Sequence, residues 1–214
     1  MESSALSSVK AAAVAPPVKR ARGPKHEDKR IAILRTAAQL FAMHGYEATS
    51  LDQVAEQLGM HKATLYHYIR SKEEILYQCL VMSFENLEPL IDRMHDRDTP
   101  VLERLRQFAI HFAHAQNNDF GRCLVLVGPR PLEIAARSDI QIFLRRLDTT
   151  VRDLVTEGIA SGDIKPCHPG MLSAMLFGML SWVPQWFKPQ GRLSLDEIVD
   201  SFMETLTLGV ATRP

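Results

Sequence analysis

An all-α fold follows from three features of the chain. Apolar residues recur at spacings of three and four through nearly every segment. No alternating pattern of useful length interrupts them, and Gly, Pro and Ser stand where helices of ordinary length should stop or start. With 214 residues, 46% hydrophobic and 23% charged, the chain can bury a core of normal size and does not have the composition of a disordered protein.

Residues 1–26 are rich in Ser, Ala and Pro, show no amphipathic period and end in Lys19, Arg20, Arg22 and Lys25. They predict a disordered basic tail, with an arm along an anionic partner and a solubilising segment as the two readings. From Glu27 the period becomes helical: Ile31, Leu34, Ala37, Ala38 and Phe41 share a face, and Gly45 is placed to end the helix. Ser50 is a natural N-cap for a short helix with Leu51, Val54, Ala55 and Leu58 inward, closed by Gly59. A third helix begins near His61 or Lys62 and points Leu65 and Ile69 inward. Ser71 then caps a long helix carrying Glu73 and Glu74 in its first turn, where they favour the helix dipole.

Downstream, Pro100 precedes the stripe Leu102, Leu105, Phe108 and Phe112. A second stripe runs from Ile140 through Phe143, Leu144, Leu147, Val151, Leu154 and Val155, and Gly158 and Gly162 are placed to close it. Residues 170–187 predict a very apolar helix, and Leu195 to Leu208 a last amphipathic one. Pro184, deep in the apolar helix, removes the hydrogen bond to the carbonyl of Leu180 and predicts a kink. Only Cys123–Val127, short and apolar, suits a strand.

The formal net charge of zero hides an asymmetry: residues 1–72 hold 11 Lys and Arg against 6 Asp and Glu, and the rest holds 14 against 19. A basic amino-terminal third on an acidic body fits an anionic partner at one end. Cys79, Cys123 and Cys167 lie far apart with no CxxC pair, which argues for buried thiols in a reducing cytoplasm. The 22 residues between Lys165 and Lys188 carry no Asp, Glu, Lys or Arg, but Pro166, His168, Pro169, Gly170 and Pro184 break the run, so a buried helix is expected and no membrane span.

Catalytic signals are missing. There is no GxSxG, no glycine-rich phosphate loop and no activated Cys or Ser setting, so neither an enzyme nor a cofactor is expected. Metal binding is not expected either. His61 and His67 are six apart, about 240° around a helix, and His111 with His114 lack a third ligand.

The arrangement that carries function is two short helices, residues 51–58 and 62–68, joined by a tight glycine turn: the helix-turn-helix pattern. Ala55 is small enough for a close crossing. The second helix presents His61, Lys62, Thr64, Tyr66 and His67 outward, all hydrogen-bonding types suited to phosphates or base edges. Lys72 stands at the next helix start, where backbone N–H groups already favour a phosphate.

Residues 31–76, IAILRTAAQLFAMHGYEATSLDQVAEQLGMHKATLYHYIRSKEEIL, closely resemble the DNA-binding domain of TetR-family transcriptional regulators. The resemblance assigns Thr49 with Ser50 to the family's Thr before the first motif helix, Lys62–Tyr68 to the recognition helix, Tyr66 to phosphate binding, Lys72 to the helix-capping Lys, and Thr64 and His67 to DNA contact. His61 stands where many members carry Ser. Residues 155–210, with their EGIASG turn, GMLSWVPQW helix and PQGRLS stretch, are similar to the carboxy-terminal domain of a subgroup that often responds to acyl-CoA thioesters.

The resemblance therefore implies a homodimeric, ligand-responsive regulator, a repressor acting on a palindromic double-stranded DNA operator. Its parts would be the tail over 1–26, a DNA-binding domain over 27–72 and a ligand-binding and dimerisation domain over 73–214. A helical small-molecule-binding or scaffold protein with a vestigial motif is the competing class. For the effector, Phe108, Phe112, Phe143, Met175, Met179 and Trp182 are candidate pocket residues, and Arg122 and Arg130 candidate partners for acyl-CoA phosphates. Ala174, Gly178 and Ser181 form a small-residue stripe suited to close approach of a second copy.

Overall fold

The structure is a computed structural model, and it describes residues 24–85 and 87–210. Ten α-helices and no β-sheet are found among them: α1 (Pro24–His44), α2 (Leu51–Gln57), α3 (Lys62–Tyr66), α4 (Lys72–Glu85), α5 (Glu88–Arg93), α6 (Val101–Asn117), α7 (Asp119–Leu126), α8 (Ile134–Ser161), α9 (Pro169–Trp186) and α10 (Leu195–Val210). Helices α1 to α3 form a head, α5 to α10 a body, and α4 joins them.

The head is punctuated as its sequence dictates. Gly45 ends α1 at φ +86°, its N–H donating to the carbonyl of Phe41 at 3.0 Å. Ser50 closes a reciprocal capping box on α2: its Oγ accepts from the Gln53 N–H at 3.2 Å, and Gln53 Oε1 accepts from the Ser50 N–H at 2.7 Å. Gly59 makes the turn at φ +60°, a conformation costly for any residue with a Cβ. Ser71 Oγ accepts from the Glu74 N–H at 3.0 Å and starts α4.

Two cores are formed. The body's core gathers Leu105, Phe108 and Phe112 of α6, Leu147, Val151 and Leu154 of α8, Leu172, Leu176 and Leu180 of α9, and Val199 and Met203 of α10. The head's core does not stop at the head. Leu34, Ala38 and Phe41 of α1, Val54 of α2 and Leu65 of α3 are joined by Ile75, Leu76 and Cys79 of α4, and by Phe120, Cys123 and Leu124 of α7. Burial raises the thiol of Cys79 well above its ordinary range and that of Cys123 to about 12, so both pack as small apolar groups.

Glycine sets the closest crossing. A Cβ on Gly121 would lie 1.9 Å from the carbonyl oxygen of Ala115, so α7 turns back against the end of α6 at a distance only a hydrogen side chain permits. Asn118 makes this corner by capping α7, its Oδ1 accepting from the Gly121 N–H at 2.9 Å. Arg104 is 4% exposed on the inner stripe of α6, with Nη1 donating to the Met94 carbonyl at 2.7 Å and Nε to the Thr99 carbonyl at 2.9 Å. Its guanidinium also pairs with Glu157 of α8, holding that carboxyl below the usual range.

Several expectations are corrected. Helix α1 begins at Pro24, so residues 24–26 belong to it; the tail expected over 1–26 otherwise lies outside the described residues. Residues 123–126 are helical, because Phe120, Cys123 and Leu124 share one face toward α1 and α4. Gly158 does not close α8. It lies inside the helix, where its missing Cβ leaves room for Ile164 and Val101, and Gly162 alone makes the left-handed C-cap at φ +85°. Cys167 is exposed, in the connection between α8 and α9. In line with the helix expected over 170–187, α9 runs through Pro184 to Trp186; no helix among the described residues is long and apolar enough to cross a membrane.

Gly121→Ala should destabilise the folded chain by about 3 kcal/mol, because a methyl group against a backbone carbonyl cannot be relieved by a rotamer change. Urea unfolding monitored by circular dichroism measures this, and a loss smaller than about 1 kcal/mol would contradict the close crossing.

Candidate nucleic-acid interface

The head presents one continuous polar face, made by the first turn of α2, the exposed side of α3 and the start of α4. Ser50, His61, Lys62, Tyr66 and His67 are exposed on it, and Thr64 and Lys72 are partly buried. Leu65 and Ile69 are fully buried behind α3 and hold it by its opposite side. Lys62 Nζ lies 2.7 Å from Asp52 Oδ1 and 2.9 Å from Oδ2, joining the starts of α3 and α2.

Lys72 is also engaged. Its ammonium sits 4.2 Å from the centre of the Tyr46 ring and 3.4 Å from the Glu47 carbonyl. Tyr46, which the sequence did not single out, packs on Phe41 with ring centres 5.2 Å apart, and burial raises its phenol above the ordinary range, with Glu73 and Glu47 adding to the shift. This ring fixes the lysine at the amino terminus of α4, beside the exposed face. At the other edge, His26 of α1 lies against Tyr68, just beyond α3, at 4.4 Å between ring centres.

Thr49 does not share this face. Its side chain is 2% exposed, and Oγ1 donates toward the carbonyls of Gly45 at 2.9 Å and Leu40 at 3.3 Å. It ties the α1 exit to the α2 entry just before Ser50, behind the exposed surface.

The candidate effector residues are not brought together. Phe108 and Phe112 are buried and stacked 5.4 Å apart, with Phe177 edge-on to both, so they form a filled core between α6 and α9. Phe143 stacks on Phe84 at 4.2 Å, and Met179 packs partly buried against the same body core. Met175 and Trp182 are corrected: at 52% and 64% exposed they point away from that core, because Leu172, Leu176, Leu180 and Val183 take the inner face of α9. Arg122 lines an open cleft of about 390 Å³ with Gln39, Ala42, Met43 and Asp119 at the head–body joint, and Arg130 is exposed with its carbonyl accepting from Arg137 at 2.6 Å. Neither meets the phenylalanines.

A further open groove, about 780 Å³, lies between α6 and α10 and is bordered by Glu103, Arg106, Asp200, Met203 and Leu208, none of them foreseen. Inside the body, Gln116 is buried, its Nε2 donating to Ser181 Oγ at 3.0 Å while Oε1 has no partner. His111 Nδ1 donates to the Gln107 carbonyl at 2.7 Å and its Nε2 accepts from Arg93 Nη1 at 3.2 Å, and His114 Nε2 lies 2.5 Å from Asp196. No group of three His, Cys, Asp or Glu is placed to hold a metal among the described residues.

Known proteins share this arrangement. Residues 33–79 match the family described as bacterial regulatory proteins, tetR family, and residues 98–210 match the tetracyclin repressor-like carboxy-terminal domain. The HTH-type transcriptional repressor KstR2 of Mycolicibacterium smegmatis is 25% identical over 193 residues, covering 85% of this chain and 90% of that protein. The fatty acid metabolism regulator protein of Bacillus subtilis is 24% identical over 191 residues, covering 86% and 97%. Among solved structures, AibR in complex with isovaleryl coenzyme A and operator DNA superposes with a TM-score of 0.75 at 28% identity, covering 84% of this chain and 98% of that one.

Thr49→Val keeps the side-chain shape but takes the hydroxyl from the buried Leu40 carbonyl and the partly buried Gly45 carbonyl, and should cost about 1–2 kcal/mol of stability, whereas Thr49→Ser should stay near wild type. Urea unfolding of the two variants decides this; equal stability of Thr49→Val and wild type would remove the tie.

Proposed function

The chain belongs to the TetR family of bacterial regulatory proteins, and from that premise we propose that it is a dimeric repressor released from its operator by a small-molecule effector of the acyl-CoA thioester class. The observation that carries the DNA-binding reading is the polar face of α3, anchored from behind by Leu65 and Ile69 and flanked by the capped start of α2 and by Lys72. Helix α3 enters the major groove. Thr64 and His67 meet base edges, Tyr66 and Lys72 grip phosphates, and Ser50 offers its hydroxyl at the groove edge.

A second copy completes the regulator. Met171, Met175, Trp182 and Trp186 are exposed along one side of α9, Gly178 on the same side has open space beside it, and Leu208 of α10 is 77% exposed. An apolar surface of this kind calls for a self-complementary partner, and pairing through it sets the distance between two heads to match two half-sites.

The effector reading is supported by the likeness to AibR, whose complex holds isovaleryl coenzyme A. Its acyl chain would part α6 and α9 where Phe108, Phe112 and Phe177 now touch, with the unpartnered Oε1 of Gln116 open to a donor from the ligand. Movement of α6 passes through the Gly121 corner into α7, which packs on α1 and α4. The heads then leave the spacing the operator needs, and by reciprocity operator and effector weaken each other's binding by about 1–3 kcal/mol.

Operators selected from a random pool with wild-type protein provide the test. Lys72→Ala should weaken binding to every duplex and lower the salt slope by about one contact, and Tyr66→Phe should weaken binding uniformly; Thr64→Ala should change the preferred sequence instead. Isovaleryl coenzyme A and longer acyl thioesters should release the wild-type complex. Failure to select any sequence would sink the DNA-binding reading, and selection without release by any thioester would sink the effector class alone.

A further inference from the structure

Lys62 is the sole Lys or Arg in α3, and its charge is already answered inside the protein. Both oxygens of Asp52 lie within 2.9 Å of its ammonium. Hydrogen bonding to this carboxylate and its charge together hold Lys62 above the ordinary lysine range. The two side chains remain 56% and 62% exposed, so solvent screens the pair and a competing anion can reach it. Lys72, a second cation of the face, is held by the Tyr46 ring and the Glu47 carbonyl. Helix α2 adds Glu56, exposed, and no cation.

This bears on the proposed function, because sequence-independent binding to duplex DNA is driven by cations that replace counterions on phosphates. A lysine already neutralised by a carboxylate contributes little to that exchange. It gains from leaving the carboxylate only where the groove supplies a better acceptor, such as the O6 and N7 of guanine. We propose that Asp52 is a specificity-setting residue of this regulator: an internal stand-in for phosphate that withholds Lys62 from non-cognate DNA and gives it up to a cognate base edge. Asp52 is a positioning residue; the contact with DNA belongs to Lys62. The inference rests on the DNA-binding reading and adds to it a means of discrimination.

Asp52→Asn preserves size and removes the competing charge. Its affinity for short random-sequence duplexes at low salt should rise about five-fold or more, with the salt slope steeper by about 0.9. Affinity for the selected operator should rise less, so the ratio of operator to random binding should fall. Asp52→Glu should restore the ratio. The same substitution in a Lys62→Met background separates the causes, because an effect acting through Lys62 disappears there.

An Asp52→Asn gain of equal size without Lys62 would show only the loss of a negative charge near the duplex, and would overturn the proposal. So would unchanged random-duplex binding, or equal gains on operator and random DNA. If wild-type protein binds no duplex at low salt, the DNA-binding reading falls and this inference with it; binding insensitive to Asp52 removes the inference alone. Circular dichroism melting of each variant confirms that α2, whose first turn carries Asp52, is still formed.

Discussion

The head cannot finish its own core, and most of the molecule's behaviour depends on that. Three helices with α2 and α3 only 7 and 5 residues long enclose too little apolar surface to be stable by themselves. The missing side is supplied by Ile75, Leu76 and Cys79 of α4 and by Phe120, Cys123 and Leu124 of α7, an element of the body. The head is therefore fixed to the body by packing instead of hanging from a linker. A shift of α7 cannot be absorbed locally, because close-packed interiors transmit displacement. Polar ties reinforce the joint: Gln39 Nε2 donates to Asp119 Oδ1 at 3.0 Å, and Arg35 lies 3.5 Å from the same carboxylate.

The exposed face of the head is ordered before any partner arrives. Ser50, Thr49, Tyr46 and Asp52 each hold a neighbouring group in place, and none of these ties lies in the middle of α3. A helix as short as α3 gains little from its own hydrogen bonds, so its geometry is set by Leu65 and Ile69 below and by the turns at both ends. That order lowers the entropy lost on binding. The Asp52 carboxylate also offsets the charge of Lys62 on that face.

Local signals carried much of this into the sequence. The capping residues Ser50 and Ser71, the turn at Gly59, the inward Leu65 and Ile69 and the period of the long helices all act over a few residues, and the structure places them accordingly. What escaped depends on elements distant in sequence. The Asp52–Lys62 pair spans ten residues and needs the crossing angle of α2 and α3. Tyr46 under Lys72 needs the return of α4 beside the α1 exit. Residues 123–126 look like a strand because a short apolar run has no period to distinguish it from a helix buried on one side. Met175 and Trp182 look like pocket residues for a related reason: an apolar helix does not declare which face meets its own chain. Arg104 could have been found, since a charge at the register of Leu105, Phe108 and Phe112 is a sign of a buried partner.

The chain contains two tryptophans, Trp182 and Trp186, and both stand on the exposed side of α9, far in sequence from the head. The indole ring emits at shorter wavelength when it leaves water. The ultraviolet fluorescence of the native protein is therefore a label, already in place, for whatever covers α9, and events at α3 reach it only through the fold.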